Sequence, residues 1–462
     1  MAEPDASDAT ERAGRPAHTG RADGAAAGTP LAGSAPRHGR PGRWPGRARS
    51  AVLVLAALLS VGAGTVAATA DDDPAADATA LGAADASDTG PSAPGPRREP
   101  APTPTCTPAP VEQQAAAVLV VGLPGVTRAD DPLATEVTAL GVGGVFLSES
   151  NVVSARQVAR LTEGLRAQAV RPLVVATDEE SGRVALMRDV VGPGPSARRM
   201  AARETPDEVR ARAAATGVAL AQVGVDVDLA PVLDLDDGPA GGVIGDRSFS
   251  ADPATAADYG LAFATGLADA GVTPTVKHFP GHGRSTVDSH TESSLVEATV
   301  DELSATDLLP FQRAIDAGAP VVMMNHLQYA ALDPDLPASL SPRAYALLRD
   351  MGFDGVAITD SVGMGAVNVR WDFPEAAVMA VGAGADAVLA TDGGQAVRMR
   401  DALVDAVASG RLPEERLAEA AARVTALAGG DPVATGCRDV TLPTLAPGSA
   451  APPTPVPSAP AG

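Results

Sequence analysis

The chain has 462 residues, 45% of them hydrophobic but only 3% aromatic, and a formal net charge of −22. The length allows one large domain or two to three small ones, with a core that must be built from Ala, Val and Leu. The strong negative charge, with no basic patch interleaved with aromatics in the folded part, argues against nucleic acid and anionic surfaces as partners.

Residues 1–50 are rich in Ala, Gly, Pro, Asp and Arg and have almost nothing to bury, so they read as a disordered tail. Arginines 37, 40, 43, 47 and 49 then precede an uncharged apolar stretch over 51–70. A basic flank before such a stretch predicts a signal peptide or a signal-anchor transmembrane segment. Ala68-Thr69-Ala70 fits a small-residue cleavage site, whereas the long preceding tail favours an uncleaved anchor. Either outcome predicts an extracytoplasmic protein, tethered to the membrane or secreted. Residues 71–112 are rich in Asp, Ala and Pro and read as a linker.

From 113 to 430, short apolar runs alternate with helical patterns. The runs are Ala116–Gly122, Gly144–Ser148, Pro172–Asp178, Val225–Asp234, Thr273–His278, Pro320–His326, Val356–Asp360 and Asp386–Ala390. Helices are expected between them over Ser154–Ala169, Pro206–Val223, Pro253–Ala270 and Glu302–Ala317. Such alternation implies a parallel sheet, and eight units imply a single α/β domain folded as a (β/α)8 barrel. An open doubly wound sheet is the alternative. No GxGxxG opens a helix after the first strand, and no GxxxxGK[ST] phosphate loop is present. Residues 431–462 read as a C-terminal segment running into a disordered Pro/Ala/Ser tail.

The two cysteines, Cys106 and Cys437, bracket this region. First and last segments are neighbours in a closed barrel, so a disulfide between them is expected in an oxidising compartment; two free thiols are the alternative.

Barrel enzymes work at the C-terminal ends of their strands. The polar residues fall there: Asp178 to Arg183 after the third run, Asp234 and later Arg247 after the fourth, Lys277 and His278 after the fifth, His326 after the sixth, Asp360 after the seventh. Lys277 is the only lysine in the chain, which points to a need for a compact ammonium rather than a flat guanidinium. His278 and His282 stand four apart like a helical zinc pair, but Pro280-Gly281 between them breaks any helix, so no metal site is expected.

Carboxylate chemistry on a sugar fits better. It requires one group to protonate the leaving oxygen and one to attack the anomeric carbon. Asp360, ending a buried strand, suits the attacking role. Asp288 and His290 are two apart on a loop. If that loop is extended, both side chains face one way, and Asp288 orients the His290 imidazole as a proton donor. Lys277, His278 and Arg247 can donate to sugar hydroxyls, and Asp178 can accept from them.

Lys277-His278-Phe279-Pro280-Gly281-His282-Gly283 followed by Asp288-Ser289-His290, with Asp178-x-Glu180-x-Gly182-Arg183-Val184 upstream and Thr359-Asp360-Ser361-x-x-Met364 downstream, resembles family 3 glycoside hydrolases. More narrowly it resembles their bacterial single-domain β-N-acetylglucosaminidase branch, from about Gln113 to Leu427. The resemblance implies a retaining mechanism without metal or organic cofactor. Asp360 matches the nucleophile, and His290 with Asp288 the acid/base dyad. Asp178, Arg247, Lys277 and His278 match residues that hold the sugar. Arg183, His282 and His326 match positions lining the pocket. The implied partner is a carbohydrate, terminal N-acetylglucosamine on cell-wall fragments; a monomer is expected. β-Glucosidase-like hydrolysis and a non-catalytic sugar-binding barrel are the alternatives. Ser181 stands where the family usually has Gly, which predicts a narrowed pocket or a bent loop. Trp371 and Phe249 are the nearby aromatics for stacking a sugar. A histidine acid in place of a carboxylic acid leaves less negative charge near the acceptor, which opens phosphate as a rival to water.

Overall fold

The computed structural model describes residues 106–445. The expectations for the tail over 1–50, the apolar segment over 51–70 and most of the linker lie outside these residues. Among the described residues, no helix is long and apolar enough to cross a membrane.

Eight parallel strands form one sheet: β1 (Leu119–Gly122), β2 (Gly144–Leu147), β3 (Val174–Thr177), β4 (Val227–Asp228), β5 (Thr273–Phe279), β6 (Val321–Met324), β7 (Val356–Thr359) and β8 (Val388–Ala390). Their order runs β7-β6-β5-β4-β3-β2-β1-β8, each paired in parallel with the next. The seam between β7 and β8 is nearly closed by the bridge of Ile358 to Ala387 and by Leu389 N–H donating to Thr359 Oγ1 at 3.0 Å. The chain is thus an α/β fold with a nearly closed eight-stranded barrel.

All eight apolar runs contain a strand because parallel strands are covered on both faces and read as continuous hydrophobic sequence. Alternation divides their side chains between two buried layers. Val120, Phe146, Val174, Ala176, Val227, Val321, Met323, Val356, Ile358 and Leu389 fill the barrel interior. Val121, Val145, Leu147, Val175, Val322 and Ala357 face the surrounding helices. Small residues let those helices come close. In helix Pro253–Asp269, a Cβ on Gly266 would lie 2.2 Å from Arg210 O of helix Pro206–Gln222.

Two boundaries differ from the sequence expectation. The first run opens in a helix, Val111–Ala117, because a short uniform apolar stretch carries no period to separate helix from strand. The helix expected over Glu302–Ala317 is two, Val300–Ala305 and Leu308–Asp316. At the break, the buried Asp307 carboxylate accepts from Arg284 Nε at 2.7 Å, a bond that holds the loop after β5. The C-terminal segment expected over 431–462 packs on the barrel as far as 445: Leu445 is buried and Leu442 packs against the barrel-interior cluster.

Cys106 and Cys437 form a disulfide with their Cα atoms 5.7 Å apart. It joins the start of the described chain to the short helix Pro432–Gly436.

Candidate active site

The strand ends converge on one cavity of about 310 Å³. Its lining includes Asp178, Arg183, Arg247, Lys277, His278, His282, Asp288, His290 and Asp360. Nine of the ten residues expected at the site are therefore brought together. The tenth, His326, does not line it.

The floor is a compact cluster of opposite charges. Lys277 Nζ, almost fully buried, donates to Asp178 Oδ1 and lies 2.7 Å from Glu180 Oε1. Arg247 grips Glu180 with a fork, Nε to Oε2 at 2.7 Å and Nη2 to Oε1 at 2.7 Å. Burial alone would raise the Glu180 carboxyl, but Arg247 and Lys277 hold it far below the carboxylate range. Burial alone would lower Lys277; Asp178 and Glu180 outweigh it and keep the ammonium charged. Lys277, Glu180 and Arg247 thus hold their charges, whereas burial pushes the Asp178 carboxyl up.

Both Lys277 and His278 serve this site although they are adjacent in β5. The register against β6 shifts between Lys277 and Phe279, an irregularity that re-aims neighbouring side chains. His278 Nδ1 lies 2.6 Å from Asp234 Oδ2, and its Nε2 lies 3.3 Å from Arg247 Nη2. A guanidinium only donates, so Nε2 accepts and Nδ1 carries the hydrogen toward Asp234.

Asp360 follows β7. Its backbone N–H donates to Met324 O at 2.9 Å, and its Oδ1 accepts from Ser361 N at 2.7 Å. Burial alone would raise this carboxyl, but the His326 and His278 imidazoles, the Ser361 N–H and Lys277 hold it below its ordinary value. An ionised, rigidly held carboxylate is a competent nucleophile. His326 sits behind it: Nδ1 is 2.7 Å from Ser339 Oγ and Nε2 is 2.9 Å from Ser361 O. The expectation that His326 lines the pocket is corrected. The imidazole is fully buried, and it shapes the turn that carries Asp360.

The Asp288–His290 pair forms, but not on extended backbone. Asp288 Oδ1 accepts both His290 N at 2.9 Å and His290 Nδ1 at 2.8 Å, and Thr291 N donates to Asp288 O at 3.0 Å. A carboxylate that bonds backbone two residues on makes its own turn, and that turn, not strand alternation, brings the pair together. The His290 ring is 70% exposed, so it reaches into the open side of the cavity.

Arg183 lines the cavity while clamping its wall. Its guanidinium bonds Asp246 Oδ1 at 3.0 Å and the carbonyls of Gly242, Val243 and Ile244 at 2.7, 3.0 and 2.9 Å. Ser181 is not in the lining; it bends the loop instead, at φ 68°, a backbone region that glycine enters more easily. Phe249 is no sugar platform either. It is buried in the outer core and stacks on Tyr259 with centroids 6.1 Å apart. Trp371 lines a separate hollow of about 200 Å³ behind the His290 loop, with Arg370 4.5 Å over its ring.

Among the described residues, no group of three or more His, Cys, Asp or Glu side chains is arranged to hold a metal ion. The sequence reading placed Glu180 and Asp234 at this face but gave them no role; Asp234 closes the fourth apolar run and Glu180 lies two residues past the third, and that position was the available signal.

The model of the glycosyl hydrolase family 3 N-terminal domain matches residues 111–427. This chain belongs to glycosyl hydrolase family 3. The match spans all eight strands and every cavity residue named above. The family 3 chain is 38% identical over 330 residues to the beta-hexosaminidase LpqI of Mycobacterium tuberculosis, covering 70% of this chain and 83% of that protein. Among solved structures, a family 3 member from Mycobacterium smegmatis is 39% identical with a TM-score of 0.64, covering 69% of this chain and 97% of that one. A beta-N-acetylhexosaminidase from Beutenbergia cavernae is 32% identical with a TM-score of 0.64, covering 69% and 98%. The family 3 chain is accordingly a glycoside hydrolase.

Proposed function

We propose that this hydrolase is a retaining exo-β-N-acetylglucosaminidase that removes terminal β-linked N-acetylglucosamine from glycosides such as cell-wall fragments. The observation that carries the reading is a single cavity lined by Asp360, by the Asp288–His290 pair and by Lys277, Arg247 and His278. The names of its relatives support the choice of sugar.

In this reading Asp178, Lys277, Arg247 and His278 hold the sugar hydroxyls. His290 gives its proton to the leaving oxygen while an Asp360 oxygen bonds the anomeric carbon and the glycosidic bond breaks. His290, now neutral, takes a proton from the incoming water. That water bonds the anomeric carbon and releases Asp360, so two inversions return the original configuration. Asp288 stabilises the imidazolium present before the first step and after the second.

The apolar stretch over 51–70, behind its arginines, supports export with membrane tethering, and the Cys106–Cys437 bond fits an oxidising, extracytoplasmic compartment. The protein acts as a monomer. Intact mass of the exported protein reads whether the leader is cleaved.

The test is hydrolysis of para-nitrophenyl β-N-acetylglucosaminide by the wild type and by Asp360→Ala. Activity in the first and none in the second supports the reading; two inert proteins point to a sugar-binding barrel. Faster turnover of the matching glucoside points to a β-glucosidase. Sugar phosphate among the products in phosphate buffer makes phosphate the acceptor in place of water.

A further inference from the structure

The loop between β5 and the dyad is held from inside by a residue that the mechanism above leaves idle. His282 is 3% exposed. Its Nε2 lies 3.1 Å from Ser289 Oγ and its Nδ1 has no partner among the described residues, so within these residues Ser289 is the only group that the ring bonds. Ser289 is itself buried and stands between Asp288 and His290. Burial pushes the His282 pKa down to about 4, so near neutral pH the contact joins two uncharged groups.

The two neighbours of this contact are tied as well. Ala366 N donates to Ser289 O at 3.1 Å, and Gly365 N donates to His290 O at 2.9 Å. The backbones touch closely here: a Cβ on Gly365 would lie 2.5 Å from Thr291 O. On the other side, Asp234 Oδ1 accepts the backbone N–H of both His278, at 3.2 Å, and His282, at 2.7 Å, while its Oδ2 takes the His278 ring. One unbroken path therefore runs from Arg247 through His278, Asp234 and His282 to Ser289, and so to the acid/base pair. Among the described residues the His290 ring has Asp288 as its only hydrogen-bond partner, so its aim depends on where these backbone anchors hold the turn.

We propose that His282 and Ser289 form a latch that positions the Asp288–His290 pair, and that Asp234 couples this latch to the imidazole that holds the sugar. His282 then acts on the reaction through Ser289 and does not touch substrate. The inference rests on the glycosidase reading above and names the residues that set its proton donor.

A mispositioned His290 slows both leaving-group protonation and water activation, but kcat/KM reads only the steps up to departure of the leaving group. The test compares kcat/KM for two N-acetylglucosaminides. The methyl glycoside has a poor leaving group that must be protonated, whereas the dinitrophenyl glycoside has one that departs unaided. Wild type must hydrolyse both; if it hydrolyses neither, the glycosidase reading fails and not the latch. For Ser289→Ala and His282→Gln the latch predicts a loss of roughly ten- to a hundred-fold on the methyl glycoside. The dinitrophenyl glycoside should change by no more than about two-fold, since no proton transfer is required there. The double variant should lose no more than the worse single one, since the two residues share one contact. Ser289→Thr, which keeps the hydroxyl, should recover most of the loss. Equal losses on both substrates, no loss on either, or additive losses in the double variant overturn the proposal.

Discussion

Asp288 Oδ1 receives two hydrogen bonds from His290, one from its backbone N–H at 2.9 Å and one from its imidazole Nδ1 at 2.8 Å. One carboxylate oxygen thus shapes the turn and orients the ring that it carries. Removing it frees both. Asp288→Ala should lower kcat on unactivated glycosides by about 10²–10⁴-fold, the usual contribution of a positioned general acid. KM should move little, because Asp288 holds no sugar hydroxyl in this arrangement. Steady-state kinetics checks this, and a fall confined to KM would contradict it.

Lys277 is the only lysine in the chain, and its ammonium lies between Asp178 and Glu180. Lys277→Met would leave two carboxylates facing each other with Arg247 as the remaining cation. Stripping one partner from a buried ion pair costs about 3–5 kcal/mol. The expected outcome is a clear drop in the denaturation midpoint with sugar hydrolysis abolished. A variant as stable as the wild type would remove the cluster from the list of stabilising features. Lys277→Arg should not restore activity, since a planar fork does not replace a point charge.

Acid should weaken the fold through His282. The unfolded chain takes up a proton at this imidazole near the ordinary 6.5, but the folded chain only near 4 because of burial. The unfolded state therefore binds more protons throughout that window, and stability falls as pH falls from about 6.5 to about 4. The loss from this one group is on the order of 3 kcal/mol. Melting temperatures of wild type and His282→Gln across this range test it. The wild type should lose stability more steeply than the variant; parallel curves would show that another group carries the acid sensitivity.

The Cys106–Cys437 bond spans 331 residues of sequence. Closing so long a loop restricts the unfolded chain, and the chain-entropy expectation for that restriction is about 6 kcal/mol. Cys106→Ser should lower the melting temperature while leaving hydrolysis at low temperature intact, because the bond lies away from the cavity residues. Loss of activity in a folded Cys106→Ser protein would contradict this.

Much of the cavity was legible because its residues sit where apolar runs stop. Lys277 and His278 stand just before the last residue of β5, Asp360 follows β7, and Asp178 follows β3. Strand register fixes such positions, and sequence carries register as hydrophobic pattern. Less was legible where irregular backbone decides direction. His326 stands two residues past β6, where Asp360 directly follows β7, and it points away from the cavity to Ser339 and Ser361; no alternation rule applies beyond a strand's last residue. Asp234 looked like one more polar strand end; its three bonds to His278 and His282 join segments that only the folded chain brings together. Phe249 was near the site in sequence but belongs to a helix-facing layer.

The central proposal is a covalent bond between Asp360 and the sugar. A fluorinated N-acetylglucosaminyl fluoride, which forms such a bond quickly and loses it slowly, allows it to be caught. After incubation, peptide mass spectrometry of the digested protein should find one added sugar on the fragment carrying Asp360, and none in Asp360→Ala. A sugar on a different residue, or full turnover with no adduct and an inverted product, would contradict the mechanism.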